Sequence, residues 1–578
     1  MTREAFDLII RGGTIVDGSG GEPFEADVGI RDGVIAEVGI IPGLGREEID
    51  ARGQIVTPGF VDIHTHYDGQ ITWENRLMPS SNHGVTSVVM GNCGVGFAPI
   101  HADQRMLAVK LMEGVEDIPG VVMTEGVPWN WETFPEYLDA LAERRADIDF
   151  AAQLPHSPLR VFVMGERGVD MEVPTEDDLV QMKRLTTEAV RAGAIGVSTS
   201  RNLAHRFRDG LPAPSVRTEE REVLALAEGL RDAGTGVFQL VCSSSVSSEE
   251  QFDLIRKIAQ TSGRPVSFTL LQPPNNPEHS RYTLKALKEA HEEGLEIRGQ
   301  VIPRPPAILM GLELSFHPFA FHPSFQPLVD LPLAEKVAAM RNPDMRRALL
   351  SEKGSDPNPQ FLAFASETSL LFPLGDPPNY HPAMEDSVGA IAVRTGRDPL
   401  DVVYDMLLEN EGRELIFRPL ANLDGERFET AGRIMLDHPN TVLGLGDGGA
   451  HYSSICDAAY TTYFLTYWCR DAPADRAISL PNAIRMLAAE PAQALGLGDR
   501  GLIRRGMKAD LNVIDLPSLH LHAPWATYDL PAGGRRLSQP AVGYTATIVS
   551  GSVTYRNGEH TGALPGRLIR GQRPALAA

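Results

Sequence analysis

The run Thr57-Pro-Gly-Phe-Val-Asp-Ile-His-Thr-His66 closes on two histidines at i and i+2. Alternate side chains of a β-strand share a face, so His64 and His66 project together and can bind one divalent cation. The pair sits where a Pro-Gly turn feeds an apolar strand, at the strand's carboxyl end. A cation held there could polarise a carbonyl and activate water. That chemistry needs a scaffold that brings further side chains to the same end of the strand.

The elements around the pair supply one. Eight short apolar or β-rich runs are candidate strands: Gly59–His66, Gly84–Cys93, Asp149–Leu154, Ala194–Thr199, Gly236–Val241, Pro265–Leu271, Leu295–Ile302 and Val442–Gly446. Helical stretches separate them. One follows Pro174-Thr175, with Glu176, Asp177 and Asp178 in its first turn, Leu179, Met182, Leu185 and Ala189 on one face, and a stop at Gly193. A second, Glu219 to Gly234, takes Thr218 as N-cap candidate; a third runs from Ser248 to Gly263. Eight βα units predict an α/β fold, a (β/α)8 TIM-like barrel with its active site at the strand carboxyl ends. Residues 1–57 and 505–560 are short strand-like runs, the first set with turns at Gly12-Gly13 and Asp32-Gly33 that describe a small antiparallel sheet, and they predict one small β-sandwich domain built from both termini. The barrel then spans 58–504. Residues 304–441 are too long for one crossover and form a large insertion, either a lid or a layer packed outside. A Pro- and Gly-rich tail, 561–578, closes the chain.

Composition narrows the function. The chain has 578 residues, 42% apolar and 22% charged, with no apolar run of membrane-spanning length. A net charge of -23 argues against nucleic-acid binding, which relies on Lys and Arg displacing counterions. Four scattered cysteines and an N-terminus that runs straight into strand-like alternation fit a reducing cytoplasm. The expected partner is a small-molecule substrate, with no nucleic acid and no membrane; a homo-oligomer is the base-rate expectation.

Several stretches carry a family resemblance: Asp7-Leu-Ile-Ile-Arg-Gly-Gly-Thr-Ile-Val-Asp-Gly18, the strand ending in His64-Thr-His66, Leu443-Gly-Leu-Gly-Asp-Gly-Gly449, and Ala489-Glu-Pro-Ala-Gln-Ala-Leu followed by Gly506-Met-Lys-Ala-Asp-Leu-Asn-Val-Ile-Asp515. Together they resemble the amidohydrolase superfamily. Gly84-Val-Thr-Ser-Val-Val-Met-Gly-Asn-Cys-Gly94 is similar to its N-acyl-D-amino-acid deacylase (D-aminoacylase) branch. The resemblance implies that His64, His66 and Cys93 are metal ligands for one or two zinc ions. It also implies that Asp447 is both a ligand and the proton shuttle for a linear N-acyl amide. A zinc ion lowers the pKa of bound water to about 7, and a nearby carboxylate moves the proton.

The chain also departs from that pattern. The family's histidines after strands five and six are absent from the runs beginning at Phe238 and Ser267. His156, His205 and His451 are candidates for a replacement ligand or for substrate binding, and Arg160 and Arg201 for gripping a substrate carboxylate. A ring-opening hydrolase for cyclic amides is the alternative function. A metal-poor barrel with a condensation or ligand-binding role is the second.

Overall fold

The computed structural model describes residues 6–243, 246–274, 276, 278–422 and 428–574. At its centre eight parallel strands stand side by side in chain order. They are Phe60–Asp62, Val85–Met90, Asp149–Pro155, Gly196–Ser200, Val237–Val241, Val266–Thr269, Ile297–Val301 and Thr441–Leu443, called strands one to eight below. The segments just past strands one and eight join at the carboxyl end: the Asp447 N–H donates to the His64 carbonyl at 3.1 Å, and the His66 N–H to the Gly448 carbonyl at 2.7 Å. The sheet is thereby a barrel, and its closing seam carries both histidines and Asp447.

Local sequence accounts for the outer helices. Thr175 and Asp178 cap Glu176–Ala192 reciprocally, and Gly193 ends it at a φ of 119°. Ser247 and Gly263 do the same for Ser248–Ser262. The intervening helix, Glu220–Ala233, departs from expectation: its N-cap is Glu219, because the Thr218 hydroxyl donates back to the Ser215 carbonyl at 3.0 Å and closes a turn instead.

Both termini enter one nine-stranded sheet, from Phe6–Ile15 through Ile55–Pro58 and from Leu511–Ile514 to Glu559–His560. Backbone bonds from Ile35 to Met507 (2.8 Å) and from Gly506 to Ile35 (2.7 Å) curl it around a core that includes Leu8, Val28, Ile30, Leu511 and Ile548. The expected turn at Gly12-Gly13 is a bulge inside a single strand, Phe6–Ile15. Gly13 packs too tightly for a side chain there, since a Cβ would lie 2.4 Å from Val56 Cγ2. The sheet is also mixed where sequence reading expected it antiparallel: Phe6–Ile15 runs parallel to Gly45–Asp50 and Ile55–Pro58.

Between strands seven and eight the insertion has its own three-stranded antiparallel sheet, Ala307–Met310, Phe372–Pro373 and Ile416–Pro419. It also has its own core, around Phe319, Val337, Leu349, Val403 and Tyr404. Past Thr561 the chain does not trail away. It bridges Gly566 to Ala146 and Leu568 to Phe150, and seats Ile569, 3% exposed, among Val61, Val89, Ala151, Ile195 and Val442 at the amino end of the barrel. Ile569→Ala is expected to cost about 2–3 kcal/mol, read from urea unfolding. A loss below about 0.5 kcal/mol would mean that this residue does not plug the barrel. Among the described residues no helix is long and apolar enough to cross a membrane.

Candidate metal centre and substrate cavity

The turn after strand two is held from three sides. Asn92 Nδ2 donates to the carbonyls of Thr65 (3.0 Å) and Val89 (2.9 Å), while Asn92 Oδ1 accepts from Gln153 Nε2 at 2.8 Å. The Cys93 N–H donates to Gln239 Oε1 of strand five at 3.2 Å. Gly91 is required because a Cβ would lie 2.3 Å from the Gln153 carbonyl oxygen. Cys93, Asp447 and His451 all take positive φ, at 57°, 48° and 50°. Such strain in non-glycine residues persists only where surrounding contacts over-determine it, and here all three side chains line one cavity.

Three side chains of that cavity stand close enough to share one metal ion. The ligand atoms of His64, His66 and Cys93 all lie within 4.8 Å of one another. His64 Nε2 is 3.3 Å from Cys93 Sγ and 3.5 Å from Asp447 Oδ1, and His66 Nε2 is 3.7 Å from the same oxygen. Bonds of about 2.1–2.3 Å to one zinc ion place ligand atoms roughly 3.5 Å apart. His64 is turned so by Gln300, whose Oε1 is 2.7 Å from Nδ1 and whose Nε2 donates to Ser267 at 3.1 Å. His66 Nε2 is buried without a hydrogen-bond partner, which fits a cation held at this point.

Burial dominates the electrostatics. It lowers His64 to about 4 and His66 well below its ordinary value, so both imidazoles are neutral and able to ligate. Burial, then the nearby carboxyls of Glu116, Asp447 and Asp68, pushes the Cys93 thiol far up, and burial raises Asp447 to about 7. No lysine or arginine is among the described residues lining this cavity. A buried thiol and carboxyls with no cationic side chain beside them suit a divalent cation, which favours their deprotonated forms.

The residues read from sequence divide sharply. His205 and His451 line the same cavity of about 220 Å³ as His64, His66, Cys93 and Asp447. His156 and Arg160 lie elsewhere: His156 Nε2 is 2.9 Å from Glu222 Oε1, Nδ1 is 2.8 Å from Thr199, and Arg160 pairs with the other Glu222 oxygen. All three are buried behind strand four. Arg201 donates to the Thr218 carbonyl at 2.9 Å and lines a separate cleft beside Cys242. At the ends of strands five and six, Val241 and Thr269 face the cavity in place of histidines.

Sequence reading missed Glu116. It follows the helix Arg105–Val115, whose Gly114 permits close contact with the loop bearing His205: a Cβ there would be 2.2 Å from the Arg206 carbonyl oxygen. The buried Glu116 carboxyl lies between two rings, Oε1 3.3 Å from His66 Nδ1 and Oε2 3.5 Å from His451 Nε2. A carboxylate there favours the Nδ1–H tautomer of His66 and leaves Nε2 for a metal. Glu116→Gln is expected to weaken zinc binding about tenfold in a competitive chelator titration; unchanged affinity would remove Glu116 from that role. The only sequence signal was an acid pair, Glu116-Asp117, at a helix end.

A family model described as the amidohydrolase family matches residues 47–555. An uncharacterized protein of Mycobacterium tuberculosis is 29% identical over 607 residues, covering 96% of this chain and 93% of that protein. The N-acyl-D-aspartate deacylase of Alcaligenes xylosoxydans xylosoxydans is 27% identical over 575 residues, covering 97% and 95%. The solved structure of N-acyl-D-glutamate deacylase from Bordetella bronchiseptica, complexed with zinc and a phosphonate inhibitor, has a TM-score of 0.64 at 23% identity, covering 98% of this chain and 100% of that one. That likeness speaks for the fold. With the family model running from the terminal sheet through the barrel and back into that sheet, this chain belongs to the amidohydrolase family.

Proposed function

We propose that the protein hydrolyses the C–N bond of a linear N-acyl amide, using a single zinc ion held by His64, His66, Cys93 and Asp447. The observation that carries this reading is the cluster of His64, His66 and Cys93, whose ligand atoms all lie within 4.8 Å of one another, with Asp447 Oδ1 3.5 Å from His64 Nε2 and 3.7 Å from His66 Nε2. A bound zinc ion supplies a Lewis-acid centre that polarises the acyl carbonyl and eases attack by water. Gln300 and Glu116 hold the two imidazoles in their ligating orientation. Asp447 is the most exposed of the four: its side chain is 22% accessible against 2% for His64, so it can reach a substrate. Its carboxylate takes a proton from the attacking water and delivers it to the leaving nitrogen. His205 and His451, in the lining of the same cavity, offer hydrogen bonds to the substrate. The printed names of the relatives point to N-acyl-D-amino acids or related N-acyl compounds. Four free cysteines agree with a cytoplasmic setting.

The test is metal analysis of purified protein together with hydrolysis of N-acyl-D-amino acids, N-acyl-L-amino acids, uncharged N-acyl amines and cyclic imides. About one zinc per chain is expected, with activity lost to chelator and restored by zinc. Turnover of cyclic substrates alone would favour ring opening. Metal-free protein with activity indifferent to chelator would overturn the proposal.

A further inference from the structure

One carboxylate ties two walls of the cavity together. The helix Arg105–Val115 is capped by Glu116, and Asp117 beyond it takes a φ of 50°, the left-handed conformation that closes a helix. Both acids line the cavity. Glu116 reaches the His451 ring with its carboxyl and accepts the His451 N–H at its own carbonyl. Asp117 reaches two other elements. Its Oδ1 accepts from Ser315 Oγ of the insertion at 3.0 Å, and its Oδ2 accepts from Ser454 Oγ, just past His451, at 2.8 Å. Main-chain bonds run alongside: the Leu309 N–H donates to the Ser454 carbonyl at 2.7 Å, and the Ser315 N–H to the Ser453 carbonyl at 3.2 Å.

The two ends of this tie bear on the substrate. Ser315 is followed by Phe316, which packs edge-to-face on Phe361 with centroids 5.0 Å apart and on Phe364 at 5.8 Å, and all three rings line the cavity. Ser454 belongs to the loop after strand eight that carries Asp447 and His451. Arg535 favours the ionised form of Asp117, and its Nε donates to Ser453 Oγ at 3.2 Å, so it backs the same loop. The two bonds of the Asp117 carboxylate span 198 and 337 residues of sequence. The spacing between the aromatic wall and the loop is therefore set by tertiary contacts of this kind and not by local chain geometry.

Resting on the amide-hydrolase reading above, we propose that Asp117 is a positioning residue that determines how tightly the substrate is held. By fixing Ser315 relative to Ser454, it sets the span between Phe316 and the loop carrying Asp447 and His451, and with it the fit of the part of the substrate that lies between them. Its role is geometric. An asparagine in its place keeps both bonds, because the amide oxygen accepts from one serine and the NH2 donates to the other, whose hydroxyl turns to accept. An alanine keeps neither.

The test compares Asp117→Ala with Asp117→Asn in zinc-loaded enzyme, with N-acetyl-D-phenylalanine as substrate. Asp117→Ala is expected to raise KM at least about tenfold, the scale of one hydrogen bond to a charged group, with kcat changed less than about twofold and zinc content as in wild type. Asp117→Asn should bring KM back to within about threefold of wild type. An unchanged KM in the alanine variant, a loss of zinc, or an asparagine variant as impaired as the alanine one would overturn the proposal. Hydrogen exchange supplies a readout that needs no turnover. In Asp117→Ala the Leu309, Ser315 and His451 amides should exchange at least about tenfold faster while the helix Glu176–Ala192 keeps its rates, and Asp117→Asn should restore them. If wild-type enzyme leaves N-acetyl-D-phenylalanine intact, the hydrolase reading fails for that compound and the exchange rates decide alone. Acceleration confined to those three amides and reversed by asparagine then upholds the tie; unchanged exchange, or equal acceleration in the helix, overturns it.

Discussion

Asp447→Asn is expected to lower kcat by about 10²–10⁴-fold while zinc content and fold stay close to wild type. Asparagine keeps an oxygen where Oδ1 lies 3.5 Å from His64 Nε2 and 3.7 Å from His66 Nε2, so three stronger ligands and a neutral oxygen remain for the metal. It cannot accept and return a proton. His64→Ala should fail differently: zinc content falls, and added zinc restores part of the rate, whereas no zinc concentration rescues the asparagine variant. The measurement is kcat beside zinc stoichiometry for both proteins. Near wild-type turnover of Asp447→Asn at full zinc would assign the proton to another group, and His451, beside Glu116 in the same cavity, is the one placed to carry it.

Arg160→Ala is expected to cost about 3–5 kcal/mol of stability and to leave KM unchanged in the protein that remains folded. Arg160 is 1% exposed and Glu222 and His156 are fully buried. Removing the guanidinium strands a buried carboxylate with only His156 and frees the carbonyls of Gly168 and Glu172 that Arg160 bonds. The double variant Arg160→Met with Glu222→Leu should recover part of the loss, because no uncompensated charge is left. Urea unfolding midpoints give the first quantity and steady-state kinetics the second. A raised KM with unchanged stability would instead place this arginine on the substrate.

The same contrast shows which parts of the protein sequence reading can reach. His64 and His66 were legible because the turn, the apolar strand and the two histidines after it are local signals, although the strand ends at Asp62 and the pair projects from the segment just past it. The eight strands were legible for the same reason, as were the caps at Thr175 and Gly193, which depend on hydrogen bonds within a few residues. Thr218 misled because its hydroxyl had two local partners, and the chain used the earlier one. At Gly12-Gly13 a bulge and a turn share the same residue preferences, and only the neighbouring Val56 decides between them.

The sequence by itself determined the barrel, the terminal β domain and the histidine pair, since periodicity, glycine placement and strand-end spacing each act over short stretches of chain. Tertiary structure alone decided the partners of buried charge. His156 and Arg160 became structural because Glu222, more than sixty residues further along, reaches them first. Gln239, Gln300 and Glu116 became the groups that orient Cys93, His64 and His66 through contacts spanning up to 236 residues. A buried ionisable group takes whatever partner the packed chain brings within about 3 Å, and its own neighbours in sequence carry no record of which one that is.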